Sequence, residues 1–378
     1  MRKNVIIKAL VLGSIGCAFT ITGLAANGDA QVIHSSANEQ QINSQDAARH
    51  EAVNTNWLDR TDITVGAQSK VGARVSVETL QPLTHYDENS KSVLFVQGGI
   101  GKGGQEDKAS YFSGGNGGAW YPYNPVTKKG EYRYRPEEYH DTKSLGTVAN
   151  VGLGYRILSK HEHAYVGVNT FYDHSFSKKY NRISGGLEYV SGLNEVRANI
   201  YKGLNSTKSE TYDVPLYDGY FEFPLNGGTA SYTVYKSQKA LSGYDVSYAR
   251  TFKNARWARA YVGAYHWNGL GVTTHGEGLS LSLNVGKSHG WQAGTTLQLT
   301  PHVSLDVGYT SDSKYASGAY GFVKYTLGTS KFAWHGGKHS DDTITNARAR
   351  MLDKVDRSPM RVGNTYEEFW MVVPWDIL

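Results

Sequence analysis

The sequence is short of cysteine, of long apolar runs and of any strong imbalance of charge. Cys17 is the single cysteine of the 378 residues and lies in a stretch that we interpret as a cleaved leader, so the expected mature fold has no disulfide bond. Beyond the leader no run of roughly 18 apolar residues occurs, which excludes a transmembrane helix. The formal net charge is +5 and falls to +2 without the leader, which is not the footprint of a nucleic-acid-binding protein.

The leader has the parts of a secretory signal peptide over residues 1–25. Arg2 and Lys3 form a basic start, an apolar run follows, and small residues stand before the expected cleavage site after Ala25. Residues 26–60 are polar and rich in Gln, Asn, Ser and Ala, which predicts a periplasmic linker.

Glycine and tyrosine are abundant instead, with 43 and 27 copies, a composition that favours strands and turns. After residue 60 apolar and polar residues alternate with a period of two, as successive side chains do on a two-faced strand. One segment, for example, reads "VSLDVGYT" over residues 303–310. Such segments run for about ten residues, the length that a tilted strand needs to cross a bilayer.

A soluble sandwich with one wet face also alternates, but three details favour a transmembrane barrel. The strands are long, tyrosines stand at strand ends on the apolar face, and the polar face carries both signs of charge, as a wet lumen tolerates. These expected lumen charges are Arg156, Arg182, Arg197, Arg259, Glu188, Glu195, Asp245 and Asp306.

We predict an all-β, antiparallel outer-membrane barrel of about twelve strands over residues 61–328. Residues 279–287 would make a thirteenth strand, whereas single-chain bacterial barrels have even counts. Either 62–82 is one long strand or 279–287 is a loop hairpin, and we favour the hairpin because it keeps the long connections on one side. Tight turns alternate with long connections, notably 105–143 and 205–239. The predicted strands are 62–69, 72–82, 92–102, 144–158, 164–176, 181–191, 194–203, 241–252, 257–267, 291–300, 302–311 and 316–327.

Residues 329–378 are predicted to form a pore helix and a short tail. Ser340 and Asp341 can cap a helix of about fifteen residues, and Pro359 would end it. Its polar residues could pair with lumen charges and plug the pore, and the alternative is an exposed periplasmic helix. These residues are Arg348, Arg350, Asp353, Asp356 and Arg357.

The stretch "GVNTFYDHSFSKKYNRISGGLEYV", residues 167–190, resembles the inverse autotransporter β-domain of intimin and invasin. That family shows a G-x-N-x-F-x-D strand, a short loop and a strand ending in G-x-E-Y. The matching residues are Gly167, Asn169, Phe171, Asp173, Gly186, Glu188 and Tyr189. Segments 297–310 and 350–358 are also similar to the family.

The resemblance implies a twelve-stranded outer-membrane barrel with a helix in its pore and a chain that continues to the cell surface. In intimin and invasin a series of immunoglobulin-like adhesive domains follows. Here about twenty residues follow residue 358, so we expect a translocator without those passenger domains.

Two motifs that could suggest chemistry are interpreted otherwise. "FVQGGIGKGG", residues 95–104, lacks the first glycine and the hydroxyl of a phosphate-binding loop, so we assign it to a strand and its glycine-rich end. His161, Glu162 and His163 have no third metal-ligand candidate nearby and are assigned to a solvated turn. We therefore expect no enzyme, cofactor or metal site.

The function predicted is that of an outer-membrane translocator of the intimin and invasin type, with a surface interaction or adhesion role through its long external loops. The aromatic residues of loop 105–143 could form a contact surface or pack over the barrel opening. Expected partners are outer-membrane lipid, the barrel-assembly machinery and the surface of a host or neighbouring cell. The alternatives are a narrow porin and a secreted carbohydrate-binding β-sandwich.

Overall fold

A computed structural model describes residues 56–113, 119–120, 132–133, 137–204, 208–215, 229–276, 279–285, 287–315, 317–330, 333–334 and 346–373. The expected signal peptide and all but the last five residues of the expected linker lie outside the described residues. Short 3₁₀ helices form at Trp57–Arg60 and Ala347–Arg350. The strands are β1 Thr61–Gln68, β2 Gly72–Pro82, β3 Ser92–Lys102, β4 Gln105–Ser113, β5 Ala119–Trp120, β6 Tyr132–Arg133, β7 Glu137–Ser144, β8 Thr147–Leu158, β9 Ala164–Ser175, β10 Tyr180–Ser191, β11 Asn194–Gly203, β12 Lys208–Pro215, β13 Thr229–Ala240, β14 Gly243–Phe252, β15 Ala255–Trp267, β16 Leu270–Gly276, β17 Leu279–Val285, β18 Ser288–Gln298, β19 Val303–Asp312, β20 Gly318–Thr326 and β21 Arg361–Val373.

Twelve of these strands close into an antiparallel barrel, in the order β1-β2-β3-β8-β9-β10-β11-β14-β15-β18-β19-β20. The last strand pairs back with the first, and Tyr325 lies opposite Ile63. The predicted strand count and the predicted glycine-rich strand at 92–102 are confirmed. The loop hairpin is confirmed as well, because β17 pairs with β16 outside the barrel.

The outer face of the barrel is apolar. Along β9 exposed and buried residues alternate, and Val166, Val168 and Tyr172 are among the exposed ones. The same holds on β10, where Leu187 is 61% exposed. A continuous apolar belt of this kind is stable only against lipid, so the soluble-sandwich alternative is wrong. Among the described residues no helix is long and apolar enough to cross a membrane.

The two ends of the barrel differ. At one end, the short-turn end, the strands are joined by turns at 83–91, 159–163, 192–193, 253–254 and 299–302. The opposite end carries the connections 103–146, 204–242 and 268–287, and we call it the long-loop end. In outer-membrane barrels short turns face the periplasm and long loops face outward.

The long loops and the C-terminal stretch together build a second sheet, the outer sheet, in the order β12-β13-β21-β4-β7. Its central strand β21 is antiparallel to β13 and parallel to β4. The sequence predicted only a tail after residue 358, and the outer sheet was not anticipated.

The predicted pore helix is wrong over the described residues 346–357. The chain there forms one 3₁₀ turn and then runs without regular structure to β21. The physical reason is that side chains of the barrel wall bond to its backbone carbonyls, which an α-helix would need for itself. Ser340 and Asp341, the expected cap, lie outside the described residues.

Candidate functional site

The site is the barrel lumen and the chain that crosses it, residues 346–360, which we call the pore segment. Its first residues contact the short-turn end, since the amide N–H of Ala347 donates to the carbonyl oxygen of Glu162. Its last residue contacts the long-loop end, where the carbonyl oxygen of Met360 accepts from the amide of Gln105. The pore segment therefore runs through the lumen from one end to the other.

At the short-turn end Arg348 fixes the entry of the pore segment. Its guanidinium donates to both carboxylate oxygens of Glu162, at 2.7 and 3.0 Å, and to the backbone carbonyl oxygens of Asp87 and Ser90. The Tyr86 hydroxyl donates to the carbonyl oxygen of Arg348 at 2.8 Å. Asn346 caps the 3₁₀ turn by accepting from the Arg348 amide.

In the half of the lumen nearer the short-turn end Arg156, fully buried on β8, holds the backbone of the pore segment. One guanidinium nitrogen donates to the carbonyl oxygens of Met351 and Asp353, at 2.7 and 2.6 Å. Its charge is balanced by Glu188 on β10, whose carboxylate accepts at 2.6 and 3.1 Å. The same guanidinium lies 4.4 Å from the centre of the Phe95 ring.

Apolar contacts hold the part of the pore segment between Ala347 and Val355. Four of its residues pack with wall residues in one buried cluster, and Met351 is fully buried. Gln97, the one polar residue among the inward positions Val93, Phe95 and Gln97, forms two hydrogen bonds with the backbone of Val355. The residues of the cluster are Leu80, Tyr86, Val93, Phe95, Leu158, Tyr165, Phe171, Val190, Ala347, Met351, Leu352 and Val355.

Towards the long-loop end Asp173 joins the wall to the pore segment. Its carboxylate accepts from Arg357 at 2.6 and 3.0 Å and from Arg182 at 2.8 Å. Arg182 also donates to the carbonyl oxygens of Ser358 and Pro359, at 2.9 and 3.0 Å. Arg357 lies 4.3 Å from the centre of the Phe171 ring.

The exit of the chain is held by Arg361, the first residue of β21. Its guanidinium lies 3.1 Å from a carboxylate oxygen of Asp312 on β19 and 3.3 Å from one of Asp107 on β4. The outer sheet is thus tied both to the barrel and to the chain that leaves it.

The remaining predicted pore residues also face charged or polar partners. Arg350 donates to Glu195 at 2.5 Å and to Asp353 at 3.0 Å. The Asp356 side chain is 55% exposed and lies 3.8 Å from Arg197, while its carbonyl oxygen accepts from Asn199. Expected lumen pairs form in the wall itself, as between Arg259 and Glu195 at 2.9 Å.

The predicted motif residues, apart from Tyr189, surround this pathway. Besides Phe171, Asp173 and Glu188, the motif supplies two glycines where a larger residue does not fit. A Cβ atom on Gly167 would lie 2.5 Å from Glu188, and one on Gly186 would lie 2.4 Å from Asn199 and 2.6 Å from Asn169. Tyr189 is 48% exposed on the lipid-facing side.

Glu162 is a residue whose role the sequence did not suggest. It lies in the expected turn, but its side chain is only 16% exposed and binds Lys91 as well as Arg348. Nothing in the short motif His161–His163 indicates a partner almost two hundred positions away. Among the described residues no group of three potential ligands is arranged to hold a metal ion.

Comparisons with known proteins agree with this geometry. The family model "Inverse autotransporter, beta-domain" matches residues 134–359, more than half of the chain. An attaching and effacing protein homolog of Escherichia coli K12 is 36% identical over 81 residues, which cover 21% of this chain and 26% of that relative. The match thus spans about a quarter of the relative's length.

Two solved structures are similar in outline. A chain from a study of the in-meso crystallization of membrane proteins has a TM-score of 0.48 at 13% identity, with 81% of this chain and 99% of that chain covered. Outer membrane phospholipase A from Escherichia coli has a TM-score of 0.34 at 11% identity, with 73% and 94% covered.

A closed barrel with an apolar outer belt and a chain segment crossing its lumen defines an outer-membrane translocator barrel. This chain belongs to the inverse autotransporter β-domain family. Its location is the outer membrane, where its belt contacts lipid.

The first prediction concerns Asp173. Asparagine at this position leaves the buried guanidinium groups of Arg182 and Arg357 without their carboxylate, and breaking a buried ion pair costs about 3–5 kcal/mol. We expect a cysteine placed at Val355, in a chain with Cys17→Ser, to react with a maleimide at least tenfold faster after Asp173→Asn.

The matched control is Asp356→Asn on the pore segment itself. Because the Asp356 side chain is half exposed and 3.8 Å from Arg197, its replacement should leave the labelling rate within about twofold of the parent. Equal labelling rates for the parent and Asp173→Asn would show that Asp173 does not hold the pore segment in place.

The second prediction concerns pH. Hydrogen bonds from Arg348 lower the pKa of the Glu162 carboxyl from its usual 4.5 to about 2. Because this pKa is depressed by folding, the stabilising contribution is present above about pH 4.5 and is lost as the pH falls through 2. The unfolding temperature of the parent should fall in this window. The unfolding temperature of Glu162→Gln should be lower than that of the parent at pH 7 and should fall less as the pH is lowered.

Tryptophan fluorescence during heating, at steps from pH 7 to pH 2, measures both curves. The control is Asp141→Asn, an exposed carboxylate at the long-loop end, whose curve should run parallel to that of the parent. Parallel curves for Glu162→Gln and the parent would show that this ion pair does not stabilise the folded protein.

Proposed function

We propose that this translocator barrel keeps the pore segment in its lumen and uses it to hold the outer sheet at the cell surface, where the sheet adheres to a host or neighbouring cell. The observation that carries the proposal is the position of β21. This strand emerges from the lumen and lies in the middle of the outer sheet, between strands of the two longest loops.

The contacts at the base of the outer sheet support a fixed surface. Asn364 donates to Glu106 at 2.8 Å, and Glu106 in turn lies 3.2 Å from Lys178 in the turn between β9 and β10. Val362 and Ala240 are fully buried in a cluster with Met360. A sheet with a buried base and several hydrogen-bonded strands presents a pre-organised surface, which loses less entropy on binding than free loops would.

The buried ion pairs of the lumen support a permanent plug. Arg350 and Arg357 each pair with a buried carboxylate of the wall, and Arg348 pairs with Glu162 in the turn 159–163. Breaking a buried pair is costly. A porin for larger solutes fits this lumen less well, because the pore segment fills the side formed by β2, β3 and β8–β11.

Adhesion is tested by comparing bacteria that produce the protein with bacteria that produce a variant lacking 361–373. Without β21 the loop strands β4 and β13 lose their shared partner, so adherence to epithelial cells and cell–cell aggregation should fall at least tenfold. The variant must still show a folded barrel, seen as faster gel migration without boiling.

The matched control deletes 270–285, the hairpin β16–β17, which lies outside the outer sheet. This variant should adhere like the parent. The proposal fails when adherence of the parent equals that of cells without the protein, or when deletion of β21 leaves adherence unchanged.

A further inference from the structure

The pore segment leaves one side of the lumen open. A cavity of about 520 Å³ lies between it and the wall formed mainly by β15, β18, β19, β20 and β1. The cavity is lined by Asp59 and Ser330 at the short-turn end and by Gln105 and Arg361 at the long-loop end. It therefore extends along the whole lumen beside the pore segment.

The volume is sufficient for a water-filled path. Spread over a hydrocarbon thickness of about 30 Å, it gives a mean cross-section of roughly 17 Å² for the centres of water molecules. A path of this mean width is wide enough for water and small ions. Polar groups line it, among them Gln292, Thr296 and the hydrogen-bonded hydroxyls of Tyr261 and Tyr320.

The lining carries an excess of positive charge. Ten arginine or lysine residues face the cavity, against six aspartate or glutamate residues. Three of the arginines, Arg197, Arg357 and Arg361, pair with carboxylates outside the lining. Without these three, seven basic residues still face six acidic ones. A cleft with low-dielectric walls and one sign of net charge concentrates the opposite ion.

Arg74 is the basic residue with the least compensation. Among the described residues it has no ion-pair partner, and its buried Nε has no hydrogen-bond acceptor. Its guanidinium lies 6.0 Å from the centre of the Phe322 ring and is repelled by the charge of Arg361. It stands near the start of β2, in the outer part of the cavity.

We propose that the open side of the lumen conducts small inorganic anions while the pore segment stays in place, and that Arg74 sets the preference for anions. Charged side chains in a narrow pore select ions of opposite sign. Adhesion through the outer sheet is not required for this activity, so either proposal can fail alone.

The test uses the purified full barrel in planar lipid bilayers with a potassium chloride gradient. The parent should give small, steady conductance steps whose reversal potential shows chloride permeating several-fold better than potassium. Arg74→Gln should bring the two permeabilities close to equal, and Arg74→Glu should favour potassium. Gel mobility without boiling shows that each variant is folded, and the glutamine variant serves if the glutamate variant does not fold.

Two controls distinguish conduction beside the pore segment from a general effect of charge and from conduction through a lumen that the pore segment has left. Arg250→Glu makes the same charge change on the exposed outer face of β14, and it should leave selectivity unchanged. Asp173→Asn, which loosens the pore segment, should give much larger steps. The proposal is overturned by a parent without conductance above bare lipid, by cation selectivity of the parent, by unchanged selectivity in Arg74→Glu, or by steps of equal size in the parent and Asp173→Asn.

Discussion

The structure depends on buried arginines of the barrel wall that donate to backbone carbonyls of the crossing chain. An extended chain inside a lumen has no partner of its own for its carbonyl groups, and leaving them unsatisfied costs about 1–3 kcal/mol each. Arg156 and Arg182 supply those partners at four carbonyl oxygens. Burial of these two guanidinium groups is tolerated only because the carboxylates of Glu188 and Asp173 neutralise their charge.

This arrangement explains why the barrel and the outer sheet form one unit. The contacts with the wall fix the position of the pore segment along the lumen. This position places Arg361 beside Asp312 and Asp107 at the exit. From there β21 continues as the central strand to which the loop strands β4 and β13 add. The unequal filling of the lumen follows as well, since most groups that bind the pore segment lie on β3 and β8–β11. The opposite wall binds it through Asp62 on β1, which pairs with Lys354, and otherwise borders the cavity.

The strand pattern was predictable because lipid and lumen impose a strict alternation on every strand, and the twelve strands agree with the sequence to within a few residues. The lumen charges were identifiable for the same reason. The pore helix was wrong because start and stop signals such as Ser340, Asp341 and Pro359 cannot reveal that wall side chains compete for the backbone carbonyls of the segment between them. Glu162 and the outer sheet were missed because both depend on pairings between residues far apart in the chain, as between β4 and β21.

The most direct test of the account is the side of the membrane on which the chain emerges. One epitope is appended after residue 378 and another is inserted between Lys253 and Asn254, in a tight turn of the short-turn end. Antibody staining of intact and permeabilised cells then reports each position. Because the chain crosses the lumen, intact cells should stain for the C-terminal epitope and not for the epitope in the turn. Staining of both epitopes only after permeabilisation would show that the chain does not cross the lumen.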